Sequence, residues 1–256
     1  MSINRKVIYT CLTGAYDELL QPLSIDDSFD YICFSNDIKD DRIGVWQIRP
    51  IPFYCKDNAR LSRYVKILPY KVLEEYDWSL WIDANIQISD KKIYEILKER
   101  IMEEMIVCQV NHIAPPCDCT YEEIKYAFAL GRSGFIKSLN QYYHLKKEHF
   151  PTHWGLFENN IILRKHNDGL VKKISVEWWN EFMIYTKRDQ FSLMYIYWKN
   201  SFKPAILFLP NQNSRNVDFL VWHYHPKDTK FNLVKSVRLR LHYLLRYSFS
   251  IIDLIF

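Results

Sequence analysis

Glycine is scarce in this chain, 6 in 256 residues. A sugar-phosphate nucleotidyltransferase normally carries a glycine-rich phosphate loop near its N-terminus, and Thr13-Gly14-Ala15 is a poor substitute for one. Long apolar runs are missing as well. No segment has the length of uncharged sequence that a membrane span needs, and Met1-Ser2-Ile3-Asn4-Arg5-Lys6 holds no apolar signal region. A cytosolic protein is therefore expected. An excess of one charge is also lacking: the net charge is +4 with 25% charged residues, which is not the footprint of a nucleic-acid binder. The cysteines (Cys11, Cys33, Cys55, Cys108, Cys117 and Cys119) form no disulfide framework. Several sit inside apolar runs, where a free thiol packs as a small hydrophobe, so a reducing compartment is expected. Cys117-Asp118-Cys119 has no second Cys or His pair at zinc spacing.

What the chain does have is apolar sequence, 48%, and many aromatics, 16%, including 8 Trp and 18 Tyr. Rings stack on the apolar faces of pyranoses, and they also fill ordinary cores; both readings fit. Apolar segments with strand character occur at residues 6–12, 31–35, 46–51, 78–86, 105–110, 155–164 and 204–210. Helical spacing occurs at 57–68, with Ala59, Tyr64 and Ile67 as an inner face. It recurs from Ser89-Asp90 to Ile101, at 121–143 with a break near Gly131, and as a pair over 171–197. Strands alternating with helices predict an α/β fold, a mainly parallel sheet covered on both faces. One domain is expected over residues 1–228 and a separate tail over 229–256. In the tail Leu233, Val234, Val237, Leu241, Leu244 and Leu245 share one side of a helix, and Lys235, Arg238, His242 and Arg246 lie opposite. Such a basic amphipathic helix either lies in an anionic membrane surface or docks on the core or on another copy.

The segment Trp81-Ile82-Asp83-Ala84-Asn85 ends an apolar strand abruptly in Asp-x-Asn. In open α/β sheets ligands bind at the carboxyl edge of the strands. On a chain that stays extended, residues two apart point the same way, so Asp83 and Asn85 are candidate oxygen ligands for Mn²⁺ or Mg²⁺. Arg60, Arg63 and Lys66 recur every three residues on a helix, either as a cationic stripe for a diphosphate or as a solvated face. Arg188-Asp189-Gln190 lies among rings. Asp189 is there a candidate base toward an acceptor or the partner of Arg188. Glu158-Asn159-Asn160 precedes Ile161-Ile162-Leu163 and is a candidate acceptor cleft. In Trp222-His223-Tyr224-His225, either His223 or His225 could complete a metal shell or touch phosphate.

Together these motifs resemble a glycosyltransferase-like family found in plant Golgi proteins and in bacterial polysaccharide gene clusters, long catalogued as a domain of unknown function. The resemblance runs over residues 6–225, through Tyr9-Thr10-Cys11-Leu12-Thr13-Gly14-Ala15-Tyr16-Asp17, Asp30-Tyr31-Ile32-Cys33-Phe34-Ser35, Arg60 to Lys66, Trp81 to Asn85, Tyr121-Glu122-Glu123, Gly155 to Asn160 and Arg188-Asp189-Gln190. It implies a GT-A (Rossmann-like) fold and a nucleotide-diphosphate sugar as donor. Thr13, Tyr16 and Asp17 would then lie near the nucleotide, and Asp83 and Asn85 would stand for the Asp-x-Asp metal motif. Asparagine in the second place departs from the usual acidic pair and lowers the ligand charge. The Asp189-Gln190 pair resembles a feature of glycogenin-like transferases, in which the Asp faces the donor sugar. His112-Ile113-Ala114-Pro115-Pro116 departs from relatives that continue with Pro and Arg.

The resemblance implies transfer of a sugar to a saccharide or lipid-linked saccharide in O-antigen or capsule synthesis, and it implies that the membrane surface open to the tail is the cytoplasmic face of an inner membrane. Asp189 or Glu158 would be the base if the reaction inverts. Two rivals stand beside this: the nucleotidyltransferase, and a non-catalytic carbohydrate-binding protein with a degenerate site, which Asn85 favours.

Overall fold

The computed structural model describes residues 4–15, 17–113, 118–224, 244–245 and 247–255. The chain divides into two compact units interleaved in sequence. One comprises residues 1–111, 158–176 and 204–228; the other comprises 112–157, 177–203 and 229–256.

The first unit is built on an eight-stranded sheet. Its strands are β1 (Lys6–Cys11), β2 (Phe29–Phe34), β3 (Arg42–Ile43), β4 (Trp46–Arg49), β5 (Trp78–Ile82), β7 (Val107–Asn111), β8 (Phe157–Arg164) and β9 (Ala205–Ile206), in the order β3-β4-β2-β1-β5-β8-β7-β9. β1 runs parallel to β2 and β5, β2 to β4, and β7 to β9; β3 on β4 and β8 on β5 are antiparallel. The mainly parallel α/β sheet expected from the sequence is the one observed. A separate antiparallel ribbon, β6 (Ile86–Ile88) with β10 (Leu220–Trp222), was not anticipated.

Alternation along the strands sorts side chains onto two faces. On one, Ile8, Leu80, Ile82, Ile161 and Leu163 pack with Ile93, Leu97 and Ile101 of helix α2 (Lys92–Met102). On the other, Tyr9, Trp81 and Arg164 meet helix α1 (Asn58–Ile67), so the sheet is covered on both sides. The inner face of α1 is only in part the one expected, with Ile67 buried as read. Leu61, Ser62, Val65, Lys66 and Ile67 are buried, whereas Ala59 and Tyr64 are only partly covered. The cause is electrostatic as well as apolar, because Lys66 finds partners inside, as described below. The buried Arg164 guanidinium donates to the Lys66 carbonyl in the last turn of α1, at 2.5 Å, and to the Tyr9 hydroxyl, at 2.6 Å. A cation there suits the negative end of the helix dipole. Burial pushes the Tyr9 phenol up to about 12.

The second unit contains α3 (Thr120–Ala129), α4 (Phe135–Lys147), most of α5 (Gly169–Ile184 as a whole), α6 (Gln190–Lys199) and α7 (Ser248–Asp253). The break expected near Gly131 separates α3 from α4, and Gly131 has φ +68°. Residues 229–243 of the expected amphipathic tail, with Arg246, lie outside the described residues. Its end docks. Phe249 of α7 is fully buried against Phe128 and Tyr142, Ile252 is buried, and Asp253 accepts from Tyr142 Oη at 2.7 Å while pairing with Lys146 at 2.8 Å and Lys125 at 3.2 Å. Phe249 and Ile252, near the end of the expected tail, are therefore core. No helix among the described residues is long and apolar enough to cross a membrane.

His166, just beyond β8, carries a testable consequence of burial. Its Nε2 donates to the Leu73 carbonyl at 2.8 Å, and the ring is fully buried. Burial, reinforced by the charges of Arg164 and Lys172 and opposed by the Leu73 bond, pushes the imidazole down from 6.5 to about 4. The unfolded chain takes up this proton near its ordinary value and the folded chain only near 4. The stability tied to neutral His166 is therefore complete above about pH 6.5 and lost as the pH falls toward 4. By this linkage roughly 2 kcal/mol should go between pH 7 and pH 5. Urea unfolding of the wild type and of His166→Gln at both pH values checks this: the wild type should lose the larger amount, and equal losses would contradict it.

Candidate functional site

Strand register gathers the candidate residues of the first unit at one edge. Cys11 stands opposite Phe34, and Phe34 opposite Arg49, so β1, β2 and β4 all end there. Tyr9 opposite Trp81 brings the end of β5 to the same edge. β8, antiparallel to β5 with Ile161 opposite Ile82, starts there with Glu158, Asn159 and Asn160. A small cavity of about 220 Å³ at the same edge is lined by Ser35, Asn36, Ile38, Ile48 and Pro50, among others.

The loop after β1 turns at Gly14, φ +70°, and Ala15, φ +47°. A Cβ at Gly14 would stand 2.1 Å from Asn58 Nδ2 and displace that amide, and the positive φ favours glycine where the loop closes on the start of α1. Thr13 Oγ1 donates to the Asn58 carbonyl at 3.1 Å, and Gly14 N donates to Asp37 Oδ2 at 2.6 Å. Thr13 and Asp17 are thus at the carboxyl edge of β1; Tyr16 lies outside the described residues.

Asp83 follows β5 directly. Its N–H donates to the Asn160 carbonyl at 2.9 Å, which extends the β5–β8 ladder by one step. Its Oδ1 accepts from Trp81 Nε1 at 2.7 Å and from Lys66 Nζ at 3.3 Å. The Lys66 side chain is 1% exposed and that of Asp83 30%, so the ammonium is buried while the carboxylate still reaches solvent. The ammonium also lies 5.2 Å from the Trp81 ring centre, a cation–π contact. Lys66 is therefore no part of a solvated stripe. Arg60 and Arg63 are half-buried. Arg60 Nε is shielded and has no hydrogen-bond partner among the described residues.

The expectation that Asp83 and Asn85 point the same way fails, because the chain does not stay extended. Ile86 N donates back to the Asp83 carbonyl at 2.9 Å, making residues 83–86 a tight turn between β5 and β6. Asn85 is buried and acts as a strut for β10: its Nδ2 donates to the His223 carbonyl at 2.9 Å and its carbonyl accepts from His223 N at 2.8 Å. His223 Nε2 donates to Gln87 Oε1 at 3.1 Å. His225 lies outside the described residues. No group of three or more His, Cys, Asp or Glu side chains converges among the described residues. Of the residues expected to ligate Mn²⁺ or Mg²⁺, Asp83 pairs with Lys66, and Asn85 and His223 bond to one another.

Glu158 lies inside β8 rather than ahead of it, and it is buried. Oε1 accepts from Arg215 Nη1 at 2.5 Å and Asn213 Nδ2 at 3.3 Å, and Oε2 accepts from Asn160 Nδ2 at 2.7 Å. Both oxygens are engaged, which suits an anchor better than a free base. Asn160 Nδ2 also reaches Ser214 Oγ at 2.8 Å, and Gln109 Nε2 donates to Asn159 Oδ1 at 2.9 Å. The Arg215 guanidinium stacks 4.1 Å over Trp222. Sequence reasoning missed Arg215, Asn213 and Ser214; the polar run Asn211-Gln212-Asn213-Ser214-Arg215-Asn216 between two apolar stretches was the available signal.

In the second unit Asp189 sits at the start of α6 and is buried. Its carbonyl accepts from Trp178 Nε1 at 2.9 Å, and Gln190 Nε2 donates to the Phe157 carbonyl at 3.4 Å. Arg188 pairs with Glu123 at 3.5 Å and lies 5.6 Å from the Phe191 ring.

No curated protein matches the chain. Among solved structures it is similar to mouse xyloside xylosyltransferase 1 in its apo form, with 7% identity and a TM-score of 0.42 over 79% of this chain and 83% of that one. It is also similar to the apo bifunctional glycosyltransferase WbbM, with 11% identity and a TM-score of 0.42 over 93% of this chain and 44% of that one. The sequence pattern described as TOD1/MUCI70, glycosyltransferase-like domain, matches residues 1–225. With the match spanning every motif from the loop after β1 to Trp222-His223-Tyr224, the chain belongs to the TOD1/MUCI70 glycosyltransferase-like domain family.

Proposed function

We propose that this protein moves a sugar from a nucleotide-diphosphate donor to a saccharide acceptor. The observation that carries the proposal is the Asp83–Lys66 pair at the carboxyl edge of the parallel strands, the place where open α/β sheets take their ligands. The nucleotide lies along the loop after β1, beside Thr13 and Asp17, with its diphosphate toward α1. The partly exposed carboxylate of Asp83 accepts a hydroxyl of the donor. In the reaction an acceptor hydroxyl attacks the anomeric carbon and gives its proton to a base, the bond from that carbon to the phosphate oxygen breaks, and the nucleoside diphosphate leaves with the bonding electrons. Fixed positive charge lowers the barrier by stabilising that leaving group. Asp189 of the second unit is proposed as that base, and Glu158, with both oxygens bound, positions Asn160 and Arg215. The acceptor class, a lipid-linked saccharide of a bacterial O-antigen or capsule, rests on the resemblance of the motifs.

A thermal-shift series with UDP, GDP, ADP and the corresponding nucleotide sugars tests the donor reading, since a ligand that binds only the folded chain raises its melting temperature. One nucleotide family should raise it, and Asp83→Ala should cut the rise given by the nucleotide sugar more than that given by the free diphosphate. In the same preparation Asp189→Asn should keep donor binding and lose transfer by about a hundredfold or more. A chain that binds sugars but no nucleotide, with Asp83→Ala without effect, would instead be a carbohydrate-binding protein.

A further inference from the structure

We propose that the donor's diphosphate is held by a cation of the chain itself, Arg60, with the buried Lys66 ammonium as fixed charge beside Asp83, and that no divalent cation bridges it to Asp83. The inference rests on the nucleotide-sugar reading of this site and names how the site meets the charge. The first argument is occupancy. Asp83 Oδ1 already carries Trp81 Nε1 at 2.7 Å and Lys66 Nζ at 3.3 Å. A divalent ion on that oxygen would stand against a buried ammonium with little solvent between them to screen the repulsion. The Lys66 ammonium cannot withdraw cheaply, because the Lys66 backbone carbonyl is pinned by Arg164 and Tyr9 and its side chain lies over Trp81.

The second argument is ligand supply. Hard divalent cations gather several oxygens, with carboxylates that are not already neutralised. Glu158 is neutralised by Arg215 and bonded on both oxygens. Asn85 is buried as a strut to His223, beyond a tight turn, and His223 Nε2 is taken by Gln87. Asp83 and Glu158 therefore arrive already paired with protein cations.

The third argument is the cation left over. Arg60 stands in the first turn of α1, on the part of the helix that the Thr13–Asn58 bond ties to the loop after β1. Its shielded Nε has no hydrogen-bond partner among the described residues. Leaving a buried donor unmade is costly, and a diphosphate supplies paired acceptor oxygens in the geometry a guanidinium fork requires. With Lys66 fixed beside Asp83, Arg60 gives the site positive charge that a bridging metal supplies elsewhere.

The test separates this inference from the reading beneath it. Mn²⁺ is titrated into the full chain and the free ion is followed by electron paramagnetic resonance, without nucleotide. UDP, GDP and ADP are then screened by thermal shift in EDTA and, separately, in excess Mn²⁺. The expected result is that Mn²⁺ stays free and that the nucleotide shift is equal in both media. Arg60→Ala should raise the dissociation constant about tenfold or more, and Arg60→Lys should recover part of the loss. One tightly bound Mn²⁺ that is lost in Asp83→Asn, or a nucleotide shift seen only with Mn²⁺, would overturn the proposal. A chain that none of the three nucleotides shifts in either medium sinks the donor reading, and with it the assignment of Arg60, whatever the Mn²⁺ titration gives.

Discussion

A lysine ammonium withdrawn from solvent must find its counter-charge inside the protein, since an unpaired buried charge costs several kcal/mol. Lys66 finds it in Asp83, and much of the first unit is arranged around that contact. The contact fixes which face of α1 turns inward, seats the last turn of the helix against Tyr9 and Arg164, and holds a carboxylate at the end of β5 with one oxygen spoken for. Two motifs far apart in sequence, Arg60 to Lys66 and Trp81 to Asn85, thereby become one feature of the fold.

The same logic extends across the edge. Asp83 bonds through its backbone to Asn160, whose side chain bonds to Glu158, whose carboxylate holds Arg215 over Trp222. Each acid has a protein cation, and the polar groups are tied to strands rather than to loose loops. Such preorganisation suits electrostatic catalysis, in which the charges are in place before the leaving group departs. Beside this chain of contacts, Asn85 and His223 bond to one another where β6 meets β10.

The alternation of apolar strands and amphipathic helices was legible in the sequence, because burial on both faces leaves near-continuous apolar runs such as those of β1, β5 and β8. Asp83 was legible for the same reason, as the first polar residue after a buried strand. The partner of Asp83 was not: a period of three marks Lys66 as one of a cationic stripe, and only the packing of α1 on Trp81 shows that it is inside. The turn at residues 83–86 was hidden because Asp-x-Asn suits an extended edge and a tight turn alike. Arg215 was missed since a guanidinium in a polar loop carries no periodic signal, and the docking of α7 stayed one of several alternatives since an apolar tail suits a core and a membrane surface alike. Gly14 left a trace in the sequence, though the clash with Asn58 that favours it did not.

The central claim is that Lys66 and Asp83 act as one unit. The most direct measurement is a double-mutant cycle on unfolding free energy with Lys66→Met, Asp83→Asn and the double variant, at neutral pH. The expected coupling is at least about 1 kcal/mol, the double variant losing less than the sum of the singles because each single leaves a charge without its partner. Losses that add within about 0.5 kcal/mol would contradict the account and reduce the contact to two neighbours without energetic consequence.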